Sequence, residues 1–252
     1  MAQSVSYTRL GWLAALCLSV SALTGCANGL PPSAEVERMD ADPLEPFNRS
    51  MYKFNYVLDR GILKPVVTVY RTVLPEPGRE MVSNFLNNLY SPVVFANSVL
   101  QTDPQNSFAT FWRFMLNTTF GFGGLFDFAS DVGLKNRSAD FGQTLAMYGI
   151  NSGPYIYLPI IGPCNARDAA GRVVDTFMNP VTYAEDAVTY SVWGAMVVDT
   201  RSNNDKLIND IYSTSLDPYT TFRSGYTQKR VSDVRRGTAA RNEAWKKAGF
   251  KD

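Results

Sequence analysis

Phe108-Ala-Thr-Phe-Trp-Arg-Phe-Met-Leu-Asn-Thr-Thr-Phe-Gly-Phe-Gly-Gly-Leu-Phe-Asp-Phe128 places eight aromatic side chains in 21 residues. Phe108, Phe111, Trp112, Met115 and Thr119 recur at steps of three and four, the period of an amphipathic helix. Gly121-Phe-Gly-Gly124 then reads as the helix stop. Phe114 and Trp112 do not share one stripe with Phe111. A helix apolar on more than one side is either buried all round or faces lipid. The pattern leaves both open, a packed core or partial contact with lipid. The glycines lack the Gly-Lys-Ser/Thr ending and the preceding strand of a phosphate loop, which excludes a nucleotide site.

Helix signals continue on either side. Asp42-Pro43, Asp103-Pro104 and Asp217-Pro218 each put a capping carboxylate before a proline, and Ser91-Pro92 does so with a hydroxyl. Each pair predicts a helix start, although Pro46 disturbs the first turn after Asp42. Phe47, Met51, Phe54 and Leu58 form an apolar face, and Ala184–Val198 and Tyr219–Arg236 read as further helices. Gly142 to Gly171, rich in Gly and Pro, reads as a hairpin with loops. The expected class is mainly α, one helical domain over 41–228. No apolar run after residue 25 approaches the roughly 18 residues a spanning helix needs, so membrane contact would come from amphipathic helices.

The chain has 252 residues, 24 basic against 23 acidic, 13% aromatic residues and no histidine. The missing histidine excludes Ser-His-Asp and Cys-His catalysis and histidine-ligated zinc. The balanced charge argues against nucleic acid. No metal or cofactor is expected. Cys164 reads as an inert, small apolar residue. Arg167-Asp168 is either a buried pair or two surface charges. Gly149 and Gly153 border a short polar turn, as hinges or as a plain hairpin turn.

Arg9 followed by an apolar run reads as an export signal over 1–25. Leu23-Thr-Gly-Cys26 resembles the bacterial lipoprotein box, which makes Cys26 the acylated first residue of the mature chain. Residues 26–40 would be a tether, and Ala27 favours the outer membrane. Residues 229–252 carry eight basic and three acidic side chains, a solvated tail or one drawn to an anionic surface.

Asp42-Pro-Leu-Glu-Pro-Phe-Asn-Arg-Ser-Met-Tyr-Lys-Phe-Asn55, Ser83-Asn-Phe-Leu-Asn-Asn-Leu89, Arg113 to Asp127, Phe141-Gly-Gln-Thr-Leu145 and Gly153 to Pro163 followed by Arg167-Asp168 appear in this order. In these motifs the chain resembles the VacJ/MlaA family of outer-membrane lipoproteins. Cys164, where serine is frequent, and the basic tail depart from it. The resemblance implies a ring-shaped helical domain embedded in the inner leaflet of the outer membrane, on its periplasmic side. An amphipathic channel would let mislocalised phospholipid leave the outer leaflet for a periplasmic phospholipid-carrier protein, with a trimeric porin as neighbour and no bond made or broken. Met51, Phe120, Phe122, Phe141, Gly149 and Gly153 are the candidates for lining or gating that channel. Two rivals remain: an adaptor that braces a porin without moving lipid, and a lipid hydrolase built on a Ser-Lys pair.

Overall fold

The computed structural model describes residues 42–247, so the signal, Cys26 and the tether lie outside the described residues. Helix α1 (Glu45–Leu58) runs through a π-helical turn, Asp59–Leu63, into α2 (Lys64–Val73). Then come α3 (Glu76–Leu100), α4 (Pro104–Thr119), the single turn α5 (Phe128–Asp131) and α6 (Phe141–Met147). Strands β1 (Tyr155–Leu158) and β2 (Gly162–Asn165) pair antiparallel, with Tyr155 opposite Asn165. Helices α7 (Ala166–Met178), α8 (Asp186–Asn203), α9 (Asp205–Thr214) and α10 (Pro218–Lys247) complete the chain. The protein is mainly α, and no described helix is long and apolar enough to cross a membrane.

Two of the four expected caps are present. Asp103 accepts the Asn106 N–H, and Asp217 accepts the Thr220 N–H and hydroxyl. Ser91-Pro92 is a correction: it lies inside α3, where Ser91 Oγ donates to the Asn87 carbonyl. Pro92 has no N–H to offer the Asn88 carbonyl, but packing against α4 carries the helix past the missing bond. Asp42 caps nothing either. It is buried at φ 35°, accepts from Asn48 and Tyr219, and pairs with Arg223. The expected loop region also shortens. Gly142 and Gly171 lie within α6 and α7, where they let the two helices touch. Of the expected tail, residues 229–247 continue α10, which runs unbroken from Pro218 to Lys247, with Arg230 and Asp233 buried.

The distribution of polarity is inverted. On α4 the buried stripe is Asn106, Thr110, Arg113 and Asn117, spaced by three and four residues, whereas Phe108, Phe111, Trp112 and Met115 are exposed. Along α1, α2 and the turn after α4, Phe47, Phe54, Val69, Phe120 and Phe122 also point outward. The aromatic stretch is therefore not the core. A soluble protein of this size would bury those side chains at about 2 kcal/mol each, so their exposure marks a face for an apolar surrounding.

Besides scattered buried aliphatics such as Val67 and Val93, the described residues hold an apolar cluster built on tyrosine: Tyr155, Tyr157 and Tyr219, with Met51, Tyr52 and Tyr226 packed on it. The hairpin is held against α1 by two asparagines one heptad apart. Asn48 accepts the Tyr157 N–H at 2.8 Å and donates to the Tyr155 carbonyl at 3.0 Å. Asn55 accepts the Ile160 N–H at 2.8 Å and donates to the Leu158 carbonyl at 2.9 Å. Together they supply the pairing a third strand would give.

Candidate functional site

The polar faces of the helices enclose two chambers that share Tyr90 on α3 as wall. The first, about 240 Å³, is lined by Asn84, Asn87, Asn88 and Ser91 of α3 and by Arg113 and Asn117 of α4. These α3 positions lie three and four residues apart, so one helix face delivers all their side chains to the cavity. Arg113 grips both oxygens of Asp127 at 2.8 and 2.7 Å, and Asn117 donates to the same carboxylate at 2.9 Å. Burial opposes the Asp127 charge, yet Ser130, Arg113 and Asn117 hold its pKa below the ordinary carboxylate value.

The second chamber, about 320 Å³, lies among α3, α6, α7, α8 and α10, with Ile161 of the hairpin at its edge. Arg230 from α10 is the central cation. Its two terminal nitrogens reach Asp140 at 2.7 Å each, and it also pairs with Asp168 at 2.6 Å. Desolvation alone would raise the Asp140 pKa, but the Arg230 fork keeps it low. Asp168 also takes hydrogen bonds from Tyr226 at 2.5 Å and Asn165 at 2.9 Å, and pairs with Arg167 at 3.2 Å. The Arg167-Asp168 pair is thus buried. Asp175 differs, because it makes no ion pair among the described residues. It accepts the Phe141 N–H at 3.1 Å and Asn97 Nδ2 at 2.7 Å, and burial pushes its pKa up to about 6. Burial likewise raises the Tyr90 hydroxyl, which stays neutral.

The MlaA lipoprotein family profile matches residues 40–233. The chain belongs to the MlaA lipoprotein family. It is 37% identical over 224 residues to the intermembrane phospholipid transport system lipoprotein MlaA of Escherichia coli K12, covering 86% of each chain. The Haemophilus influenzae protein of the same name is 39% identical over 227 residues, 87% of this chain and 89% of the other. A solved structure concerned with maintenance of bacterial outer-membrane lipid asymmetry superposes at a TM-score of 0.69 with 36% identity, over 77% of this chain and 98% of that one.

The MlaA-type candidates scatter in this fold. Met51 packs on the tyrosine cluster and lines neither chamber. Phe120 and Phe122 are on the outside, and Phe122 is 77% exposed at φ 53°. Phe141 begins α6 and donates its N–H to Asp175. Gly149 has φ 84° and terminates α6. Its N–H bonds the Ala146 carbonyl while the Ile150 N–H bonds that of Leu145, the paired pattern of a glycine-closed helix end. Gly153 has φ 67° and enters β1. Cys164 is fully buried, and burial raises its thiol pKa, which leaves it inert. Among the described residues no acidic, cysteine or histidine group could hold a metal.

Tyr90, Arg172, Asp140, Asp175, Trp193 and Arg230 were not singled out by sequence. Asp140 carried a usable signal, since an aspartate three residues before Gln143 is an N-cap pattern. The others meet only through long-range packing.

Proposed function

We propose that this protein is an acylated lipoprotein of the outer membrane that withdraws mislocalised phospholipid from the outer leaflet through a polar-walled channel and passes it to a periplasmic phospholipid carrier. The membership of the MlaA family and its phospholipid-transport relatives support this reading. The observation that carries it is the inversion of α4, with Arg113 and Asn117 inside and Phe108 and Trp112 outside. An aromatic exterior suits acyl chains, and a polar interior suits headgroups that must not meet hydrocarbon.

The helical body sits as a ring in the inner leaflet, beside a trimeric porin, held there by acyl chains on Cys26. The turn bounded by Gly149 and Gly153 controls the opening. Transfer is passive and the protein is not an enzyme; no bond of the lipid changes. The test is complementation of a strain lacking the gene, with surface-exposed phospholipid as readout. Restoration by the wild-type chain supports transport. Full porin association without restoration, and without co-purifying phospholipid, would favour the adaptor; release of lysophospholipid or fatty acid from labelled lipid would favour the hydrolase.

A further inference from the structure

Charge is divided unevenly along this nearly neutral chain. Residues 42–228 hold fourteen basic and seventeen acidic side chains, whereas 229–247, the later part of α10, hold seven basic and two acidic. Two of the seven serve the fold: Arg230 is buried against Asp140 and Asp168, and Arg241 donates to the Met147 carbonyl at 2.9 Å. The other five, Lys229, Arg235, Arg236, Lys246 and Lys247, are exposed. Lys229, Arg236 and Lys247 follow at steps of seven and eleven residues, and Arg235 and Lys246 at a step of eleven. These steps place them in two adjoining rows, about 27 Å long, on the face opposite the buried Arg230 and Gly237. Asp233 is buried beneath Lys229 and Arg236, which leaves Glu243 as the only exposed acid of this stretch. Arg235 and Lys246 make no ion pair among the described residues. The helix dipole favours Lys246 and Lys247 in the last turn but does not reach Arg235 and Arg236, three turns earlier.

Such rows call for an anionic partner, and their surroundings indicate which. Protein interfaces centre on apolar and aromatic anchors and are poor in lysine. Between these rows lie only Ser232, Ala239 and Glu243. Aromatic side chains gather instead at the helix end. Arg241 stands 5.3 Å from the ring of Trp245, itself 48% exposed, and bonds the carbonyl of Met147. The next residue, Tyr148, is 60% exposed and donates its hydroxyl to the Leu100 carbonyl. Bases beside half-exposed Trp and Tyr suit a lipid–water boundary, where rings sit at headgroup level and cations meet phosphates. Four of the five exposed bases lie beyond residue 233, where the family match ends. We propose that the outward face of α10 over 229–247 is an electrostatic docking surface for a bilayer containing anionic glycerophospholipid. The contact rests on the membrane placement proposed above and is separate from the two chambers.

The test is hydrogen exchange of the acylated full chain reconstituted in vesicles. Peptides covering 235–247 should exchange about tenfold more slowly with about 30% phosphatidylglycerol in the vesicles than with phosphatidylcholine alone. Salt at about 0.5 M, where the Debye length is about 4 Å, should remove the difference. The triple variant Arg235→Gln/Lys246→Gln/Lys247→Gln should remove it as well, and Arg235→Lys/Lys246→Arg/Lys247→Arg should retain it. Lys247 pairs only with the exposed Glu243, and Lys229 and Arg236 are kept for Asp233, so both variants should unfold at the wild-type temperature. Equal protection on the two vesicle types, or full protection in the glutamine variant, overturns the electrostatic surface and leaves the membrane placement standing. Peptides unprotected on anionic vesicles but slowed by polyglutamate assign the face to an acidic protein and overturn lipid docking. If the α4 peptides also exchange identically with and without vesicles, the membrane placement itself is refuted and the surface falls with it.

Discussion

Gly171 of α7 lies against Gly142 of α6 so closely that a methyl group on Gly171 would come within 2.4 Å of the Gly142 nitrogen and 2.7 Å of its Cα. This crossing brings Asp140, at the head of α6, beside Asp168 and Asp175 of α7, and so builds one wall of the second chamber. Gly171→Ala should destabilise the fold by about 2 kcal/mol, because overpacking against backbone outweighs the better helix propensity of alanine. Gly225→Ala in α10, with nothing within 4 Å of its added methyl, is the control and should be neutral or stabilising. Equal unfolding midpoints for the two variants would remove the packing argument.

Asp175 gives the fold a pH dependence of unusual sign. Its folded pKa of about 6 lies above the ordinary 3.8, so between those values the folded state keeps a proton the unfolded chain has lost. The contribution of Asp175 is therefore favourable at low pH and is lost as pH rises through that window. Asp140, whose folded pKa is lowered, opposes it: its contribution is lost as pH falls. Asp175→Asn retains an oxygen for the Phe141 and Asn97 donors and should be more stable than wild type above pH 6, by about 1–2 kcal/mol. Denaturant titrations at pH 5 and 7.5 check this, and a gain no larger at 7.5 than at 5 would count against it.

The asparagine clamp should be visible in hydrogen exchange. Asn55→Ala removes the acceptor of the Ile160 N–H and the donor to the Leu158 carbonyl. Peptides covering the hairpin, 155–165, should exchange faster, by about tenfold, while α4 peptides stay protected. Unchanged hairpin exchange would mean that the tyrosine cluster alone holds it.

Phe122 is strained and exposed at once. A phenylalanine at φ 53° costs about 1 kcal/mol of backbone strain, which glycine relieves. Phe122→Gly should therefore leave the thermal midpoint unchanged or raise it, yet weaken vesicle association by about 2 kcal/mol of lost apolar contact. Flotation with phosphatidylethanolamine–phosphatidylglycerol vesicles measures the second effect. Wild-type flotation would place Phe122 away from the bilayer.

On the proposal that Cys26 carries the lipid anchor, Cys26→Ala should abolish fatty-acid incorporation in metabolic labelling, because it removes the thiol that would take the diacylglyceryl group as a thioether. Equal incorporation in the variant would exclude Cys26 as the anchor.

Much of the class was legible in the order of residues. Helical period and capping pairs are local signals, so the aromatic helix could be placed from its start at Asp103-Pro104 to its glycine stop. Ser91-Pro92 misled because tertiary packing overrides a single missing backbone bond, and Gly142 and Gly171 misled because close helix contact asks for the same residue as a turn. The basic run after residue 228 looked like a tail, because sequence cannot show that Arg230 meets Asp140 and Asp168, 90 and 62 residues earlier.

The sequence by itself determined the helical class, the exclusion of histidine chemistry, and an aromatic excess with two permitted meanings. Only the tertiary structure decided between those meanings, by turning Arg113 and Asn117 inward and Phe108 and Trp112 outward. The reason is physical: a period of 3.6 residues tells which side chains share a face, but which face is covered depends on what the rest of the chain and the surrounding medium supply. The same holds for the chambers, where Tyr90, Arg172 and Trp193 come from three helices and share no sequence pattern.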